Sequence, residues 1–394
     1  MPKRPSTSAH PTPRVALLVE TSLASGRDIL RGIARYVREH GPWSLYHEPH
    51  SLEEGLPRWL AGWGGDGIIV RVQTPQIAAA VKDTGIPAVD VLGVVPTAGL
   101  PLVHVDDRLV AVMAAEHLRE RGFHHFAYFG IQGENWSERR REAFREAAGA
   151  STANFKTCEL PRRALNRRAW ESREDALADW VRGLPKPTGI MVCSDQVGQQ
   201  LLEACRRAGV AVPDDVAVVG VDNDEPLCEV CHPPLSSVDA GHRAVGYEAA
   251  AALERSMRGE RQTAGPRLVP PVGVVTRLST DVLATGDRQV AAALRLIREQ
   301  ACSGLTAGDL VARVPVSRSV LQRRFRKELG RSLQEEIINV RVKRARQLLA
   351  ETELPLAEVA ERCGFKHQEY MGALFKARTG QTPAQYRKGA RGSA

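Results

Sequence analysis

The chain changes its hydrophobic pattern once along its length, and this change limits the folds open to it. From Arg14 to about Leu278, short β-branched runs alternate with amphipathic helical stretches. Such alternation is typical of parallel sheets covered by helices. From Arg288 to about residue 390, apolar residues instead recur with helical spacing. The sequence therefore predicts an α/β domain followed by a smaller all-α domain.

The predicted segments are a tail at 1–13, the α/β domain at 14–278, a linker at 279–287 and the helical domain at 288–390. Strands of the first domain are predicted at 15–19, 67–72, 88–91, 102–105, 126–129, 189–193 and 216–221, and helices at 28–39, 108–121, 137–148, 173–182 and 197–207. Pro213 is expected to end the helix before the last of these strands. The elements could form one large doubly wound domain or two smaller lobes.

Charge divides along the same boundary. Residues 288–391 include 21 basic and 10 acidic residues, a net charge of +11, whereas the whole chain carries +8. A basic domain favours contact with nucleic acid, because neutralising phosphates releases counterions. A solvated basic surface would have the same composition, so charge alone leaves both interpretations open.

The first residues bear on the compartment. Residues 1–13 contain Lys3 and Arg4 with no apolar segment behind them, which argues against a secretory signal. No run in the chain approaches the roughly 20 apolar residues that a membrane span needs. We therefore expect a cytoplasmic protein with no membrane partner.

Polar residues follow the predicted strands at their carboxyl ends, where open α/β sheets bind ligands. They include Glu20, Arg71, Asp106, Asp195 and Asp222. No GxGxxG or Walker A pattern follows a strand, so we expect neither a dinucleotide nor a nucleoside triphosphate, and no cofactor. Strand-end aspartates also cap helices, which is the favoured interpretation for Asp106 and an equal alternative for Asp195.

Cys228, Cys231 and His232 form a CxxCH pattern, the attachment motif of c-type haem. That attachment takes place outside the cytosol, and no second cysteine pair or histidine cluster nearby would complete a zinc site. We interpret the pattern as a coincidence and expect no metal site. A redox role for the two cysteines has no support in the sequence.

The helical domain repeats one motif. Residues 306–309 open a short helix with a pattern close to a capping box, and a tight turn leads to a helix at 318–329 with Ser317 as its expected N-cap. A similar unit recurs at 356–378, beyond a basic helix at about 333–349. A helix, a tight turn and a helix with arginine and glutamine on its outer face form the helix-turn-helix pattern.

Five segments of this domain resemble the AraC/XylS family: FRKELG at 325–330, ARQLL at 345–349, EVA at 358–360, CGF at 363–365 and FKARTGQTPAQYR at 375–387. The resemblance implies two helix-turn-helix units that bind a double-stranded DNA operator. In the first unit it assigns base reading to Ser319, Gln322 and Arg323, and phosphate contact to Arg318 and Arg324. Arginine pairs well with guanine, and glutamine with adenine.

The second unit departs from the family pattern. The matching DNA-facing positions hold His367, Gln368 and Glu369, but Gly372 and Ala373 stand where larger polar residues are usual. Neither glycine nor alanine can hydrogen-bond to a base edge through a side chain. We therefore expect the second unit to contact mainly the DNA backbone or to tolerate variable sequence.

The first domain resembles the sensor of the LacI/GalR family through VHVD at 103–106, SDQ at 194–196 and VGVDN at 219–223. The resemblance implies a two-lobed periplasmic-binding-protein-like fold and a sugar ligand. Arg140 has the spacing of that family's sugar-binding arginine, and with Asp222 it would form charge-assisted hydrogen bonds to sugar hydroxyls. Trp136 is the expected aromatic floor. Further candidates are Asp195 and Arg71.

Together the resemblances imply a homodimeric transcription regulator, an activator of pentose catabolism genes rather than an enzyme. Two alternatives remain open. A sugar-processing enzyme fused to a DNA-binding domain would need two carboxylates at a defined separation, which strand-end aspartates could imitate. An architectural DNA binder would carry a sensor that has lost its ligand.

Overall fold

The computed structural model describes residues 12–48, 57–95, 99–149, 155–161, 174–260, 265–281, 287–352 and 354–391. The chain forms two compact units, residues 1–283 and 284–394. The tail expected at 1–13 lies, up to residue 11, outside the described residues. None of the helices within the described ranges has the length and apolar composition needed to span a bilayer.

The first unit alternates strands and helices, as its sequence predicts. Its elements in chain order are β1 (Arg14–Leu18), α1 (Ala24–His40), β2 (Ser44–His47), β3 (Gly67–Val70), α2 (Pro75–Asp83), β4 (Ala88–Asp90), β5 (Val103–Val105), α3 (Asp107–Arg119), β6 (His125–Gln132), α4 (Asn135–Ala147), β7 (Phe155–Pro161), α5 (Glu174–Arg182), β8 (Thr188–Val192), α6 (Asp195–Ala208), β9 (Val216–Val221), α7 (Glu225–Val230), β10 (Ser236–Asp239), α8 (His242–Met257), β11 (Arg267–Val269) and β12 (Gly273–Val275).

These elements build two lobes. The sheet of the first lobe has the parallel order β2-β1-β3-β4, and a bridge between Asp90 and Leu102 brings β5 and its partner β11 alongside. The second lobe has the order β12-β10-β9-β8-β6-β7, in which β12 runs antiparallel to β10. Strands β3, β8 and β9 are buried along their whole length, as expected of sheets covered on both faces.

The chain crosses between the lobes at Asp106, at 240–241 and at 270–272. The side chain of Asp106 accepts a 3.0 Å hydrogen bond from the backbone N–H of Leu109, which confirms its interpretation as the N-cap of α3.

Helix α8 returns the chain to the first lobe, and it is not among the helices predicted from the sequence. It packs on α1 so closely that a Cβ added to Gly246 would lie 2.0 Å from the carbonyl oxygen of Ile29. Its buried face consists largely of glycine and alanine, so the apolar spacing that marks other helices is weak here.

Two boundaries differ from the sequence predictions. Helix α6 ends at Ala208 because Gly209 adopts the left-handed conformation of a C-cap, four residues before Pro213, which was expected to end it. Ser279 and Thr280, expected in the linker, are fully buried in the first unit as part of a short 3-10 helix at Leu278–Thr280.

The second unit is all-helical. Its helices are α9 (Arg288–Gln300), α10 (Ala307–Arg313), α11 (Arg318–Leu329), α12 (Leu333–Glu351), α13 (Leu356–Arg362), α14 (Gln368–Thr379) and α15 (Pro383–Arg391). Thr306 and Asp309 form the expected capping box at α10, whereas Ser317 precedes α11 without a capping hydrogen bond from its side chain.

Two separate apolar cores divide this unit. One is built around Leu321 and Phe325 of α11, and the other around Met371 and Phe375 of α14. Arg341 of α12 joins them. Its guanidinium donates to the carbonyl oxygens of Ala301 and Leu305 and lies 5.7 Å from the ring centre of Phe365.

Candidate ligand cleft and DNA-binding surface

The carboxyl ends of β1, β3, β8 and β9 supply polar side chains from both lobes of the first unit. Arg71 follows β3 in the first lobe, whereas Asp222 follows β9 in the second, and Arg140 lies on α4. The charges of Arg71 and Arg140 both lower the pKa of Asp222, so the three side chains lie within electrostatic reach of one another. Three residues that the sequence nominates for sugar binding are therefore brought together.

Arg140 is held by a partner that the sequence analysis did not single out. Its Nε donates a 2.9 Å hydrogen bond to Oδ1 of Asp107, and its Nη1 donates 2.6 Å to the carbonyl oxygen of Cys193. Burial opposes ionisation of Asp107, but Arg140, His104 and Arg139 outweigh it and hold the pKa of that carboxyl well below its usual range. The guanidinium is thus fixed in direction before any ligand arrives.

Asp222 adopts an unusual backbone conformation. Its φ is +100° and that of Asn223 is +51°, values that residues other than glycine rarely adopt. The ring Nε2 of His242 lies 3.0 Å from Oδ1 of Asp222. Burial raises the pKa of Asp222, but His242, Arg140 and Arg71 together lower it below the ordinary value. The carboxylate is ionised and able to accept hydrogen bonds from hydroxyl groups.

Arg71 forms a buried ion pair with Glu20 and also donates to Ser25 Oγ at 3.2 Å. Glu20 is fully buried, and its Oε2 has no hydrogen-bond partner among the described residues. The Nε of Arg71 is likewise buried and unpartnered there. Since buried polar atoms normally find partners, this pair retains donor and acceptor capacity that a polar ligand could use.

Trp136 stands beside Arg140 as expected, but with a different arrangement. The guanidinium carbon of Arg140 lies 5.1 Å from the ring centre of Trp136, and the indole N–H donates to Glu134 at 3.0 Å. Arg140 therefore covers one face of the indole. Only the other face could serve as a floor for a sugar ring.

Asp195, the further ligand-binding candidate of the second lobe, bonds to the protein itself. Its Oδ1 accepts from Ser237 Oγ at 2.6 Å, and its Oδ2 accepts from the backbone N–H of Asp224 at 2.8 Å. Burial and the neighbouring Asp222 raise the pKa of Asp195 to about 8. Both oxygens are thus engaged by the protein, and this carboxyl supports the loop after β9.

The CxxCH pattern has no haem-like environment. Cys228 and Cys231 are buried, and the Cys231 thiol donates to the carbonyl oxygen of Leu227 at 3.2 Å. Burial raises the pKa of both thiols, that of Cys231 to about 11, which keeps them protonated and unreactive. Within the described ranges, no group of three or more histidine, cysteine, aspartate or glutamate side chains could hold a metal ion.

In the second unit, helix α11 presents an exposed polar face. Ser319, Gln322 and Arg323 are exposed on that face, and Arg318 is exposed at the helix start. Arg324, expected to contact phosphate, instead donates to Asp287 Oδ2 at 3.2 Å and to Gln289 Oε1 at 3.1 Å. It holds the start of α9 against α11.

Helix α14 occupies the equivalent place in the second helix-turn-helix. His367, Gln368 and Glu369 are all exposed at its start. Tyr370, which the sequence analysis passed over, is 51% exposed beside them. A Cβ added to Gly372 would meet no atom within 4 Å, so the small residues leave open space on this face.

Comparisons with known proteins agree with this architecture. Residues 115–280 match the periplasmic binding protein-like domain family, and residues 310–389 match a helix-turn-helix domain family. The chain is 31% identical to the xylose operon regulatory protein of Escherichia coli strain K12 over 95% of this chain and 96% of that protein. The corresponding protein of Haemophilus influenzae is 30% identical over 95% of this chain and 98% of that protein.

A solved structure described as that of a xylose-binding transcription activator has a TM-score of 0.78 to this one. It is 30% identical in sequence and covers 96% of this chain and 98% of its own. The likeness thus spans both units and their order along the chain. The chain belongs to the family of the xylose operon regulatory proteins, and it is a sugar-responsive, DNA-binding transcription regulator rather than an enzyme.

Proposed function

We propose that the first unit binds D-xylose or a closely related pentose between its lobes and that binding changes the affinity of the second unit for its operator. The observation that carries the proposal is the convergence of Asp222, Arg140 and Arg71 at the strand ends. A pentose offers neighbouring hydroxyl groups, which donate to a carboxylate and accept from guanidinium groups. The pentose itself is suggested by two relatives, a xylose operon regulatory protein and a xylose-binding transcription activator.

Arg140 and Asp222 would make the strongest contacts, because both are charged and held in place by the protein. Arg71 with Glu20 would contact the sugar from the first lobe. The uncovered face of Trp136 would pack against its C–H groups. Contacts from both lobes favour the closed cleft, so ligand shifts the sensor toward closure by its differential affinity for that state.

In the second unit, Arg323 and Gln322 would read base edges in the major groove, with Ser319 beside them. Arg318 would contact phosphate. His367, Gln368 and Glu369 would face the DNA from the second helix-turn-helix. We further propose that the protein acts in the cytoplasm as a homodimer and activates the genes it controls, as expected of a regulator related to a transcription activator.

A thermal-shift screen of the full-length chain against pentoses, hexoses, uronic acids and polyols tests the sensor. A ligand that binds the folded state at 100 times its Kd stabilises it by about 2.7 kcal/mol. We expect D-xylose to raise the Tm, Asp222→Asn to abolish the shift and Asp179→Asn, at an exposed position of α5, to retain it. A panel in which no sugar shifts the Tm would overturn the proposal.

A further inference from the structure

The turn after β9 directs three consecutive side chains to three different parts of the sensor. Asp222 faces Arg140 and Arg71 in the cleft. Asn223 Oδ1 accepts a 2.9 Å hydrogen bond from Nη2 of Arg277. Asp224 accepts from Nη2 of Arg27, at 3.3 Å to each carboxylate oxygen. The ligand site is thus adjacent in sequence to two contacts that reach other elements.

The contact of Asp224 spans the two lobes. Arg27 lies on α1 of the first lobe, where its Nη1 also donates to the carbonyl oxygens of Thr21 and Ser22. Asp224 belongs to the second lobe, where its backbone N–H donates to Asp195. The turn after β9 is therefore bonded to both lobes.

The contact of Asn223 reaches the segment by which the chain leaves the sensor. Arg277 Nη1 donates to the carbonyl oxygen of Leu235 at 3.0 Å, and its backbone N–H donates to Ser236 Oγ at 2.8 Å. One residue further on, the short helix Leu278–Thr280 begins. After residue 281 come residues 282–286, and then Asp287, the N-cap of α9 in the second unit.

The exit segment is fixed to the second lobe by buried polar contacts. Ser279 Oγ donates to the carbonyl oxygen of Val218 at 2.6 Å, within β9 itself. Thr280 Oγ1 donates to Ser236 Oγ at 2.7 Å and lies 2.8 Å from His117 Nε2. Ser236, Ser279 and Thr280 are fully buried, so these contacts tie the exit segment to β9 and β10.

We propose that the hydrogen bond between Asn223 and Arg277 transmits the ligand state of Asp222 to the exit segment and thereby to the DNA-binding unit. The proposal rests on the proposed sugar site. Asp222 and Asn223 are consecutive residues with positive φ in one turn. A ligand that hydrogen-bonds to the Asp222 carboxylate and displaces it therefore also displaces the Asn223 amide. Arg277 is thus a positioning residue, which contacts neither sugar nor DNA.

The test uses two variants that remove this bond in different ways. Asn223→Gly deletes the amide oxygen and keeps the backbone, since glycine adopts a φ of +51° without strain. Arg277→Met removes the guanidinium and keeps the length of the side chain. The matched control is Arg267→Met on β11, an exposed arginine that pairs with Glu248.

Two affinities are measured for each full-length protein. The first is the Kd for D-xylose by calorimetry. The second is the Kd, with and without D-xylose, for a DNA duplex selected by the wild-type chain from a random library. The ratio of the two DNA affinities is the coupling, which is typically about 5- to 150-fold in allosteric proteins. A residue with a merely structural role would alter the Tm and leave this ratio unchanged.

We expect Asn223→Gly and Arg277→Met to bind D-xylose within about threefold of wild type while the coupling ratio falls to about one. Arg267→Met should keep the wild-type ratio. If Asn223→Gly and Arg277→Met both keep the coupling ratio of wild type, the inference is overturned, while the proposed sugar sensor is unaffected. Loss of sugar binding in both variants would also reject it, because Asn223 would then act on the pocket itself. No response of the wild-type chain to any sugar would overturn the proposed function as well.

Discussion

Nε of Arg140 donates a 2.9 Å hydrogen bond to Oδ1 of Asp107, and both side chains are almost completely buried. Asp107 begins α3 immediately after the first crossing between the lobes, so the guanidinium of Arg140 is anchored beside that crossing. The pair therefore matters for the stability of the sensor and for the proposed ligand site.

Asp107→Asn should destabilise the sensor by about 3 kcal/mol, because it leaves the buried charge of Arg140 without its counter-ion. Urea unfolding followed by tryptophan fluorescence measures this, since all six tryptophans lie within residues 43–180, in the first unit. Asp179→Asn, which breaks an exposed pair with Arg182, should change stability by less than about 0.5 kcal/mol. Equal effects of the two variants would contradict the role given to Asp107.

Acid should weaken the sensor through His117. Burial and the neighbouring Arg121 lower the pKa of His117 to about 3, so the ring is neutral in the folded state. The unfolded chain takes up a proton at the ordinary pKa of about 6.5, so the stability present above that pH is lost progressively as the pH falls toward 3. At pH 5, protonation of this histidine in the unfolded chain should lower the free energy of unfolding by about 2 kcal/mol relative to neutral pH.

His117→Gln should flatten the fall in sensor stability between pH 7 and pH 5, measured by urea unfolding at each pH. His124→Gln, at an exposed position near the start of β6, is the control and should leave the wild-type slope. If His117→Gln and wild type lose stability in parallel, the neutral buried ring is not the cause of the acid sensitivity.

Replacing two exposed arginines of α11 should weaken DNA binding in different ways. Arg323→Ala removes a base contact and should cost about 1–3 kcal/mol on the preferred sequence while relaxing specificity at one position. Arg318→Ala removes a phosphate contact and should weaken binding to all sequences alike, reducing the salt slope by about one. Titrations at several salt concentrations separate the two. Arg206→Ala, an exposed arginine of the sensor, should change neither.

Replacing Gly246 and Gly372 with alanine should change stability in opposite directions. Gly246→Ala places a Cβ 2.0 Å from the carbonyl oxygen of Ile29, which must force α1 and α8 apart at a cost of about 1–3 kcal/mol. Gly372→Ala meets open space within α14 and should stabilise the second unit by about 0.5–1 kcal/mol. Calorimetric melting of the two variants beside wild type measures both. A stabilising Gly246→Ala would contradict the close helix contact.

The alternation of strands and helices could be predicted from the sequence because its pattern is local. Apolar runs mark β3 and β9, and the repeated helix-turn-helix follows from caps and spacing. Helix α8 could not be predicted in this way, because many residues of its buried face are small. Its packing also depends on contact with Gly32 and Ile29, which lie far away in the chain.

The contacts of the candidate site residues also could not be predicted from the sequence. Asp195 and Asp222 both follow strands and look equivalent in the sequence. Asp195 accepts hydrogen bonds from Ser237 and Asp224, whereas the pKa of Asp222 is lowered by two arginines. Asp107 follows Asp106 directly, and only the fold distinguishes the helix cap from the counter-ion of Arg140. Such distinctions depend on which distant groups meet, and no local pattern encodes them.

The most direct test of a sugar-responsive regulator is the DNA affinity of the full-length chain with and without D-xylose, for wild type and Asp222→Asn. The asparagine keeps the shape of the side chain and tolerates the left-handed turn, but it removes the charge that would hold the sugar. We predict that D-xylose changes the DNA affinity of wild type by about tenfold and leaves that of Asp222→Asn unchanged. An equal response of both proteins, or none in wild type, would contradict the account.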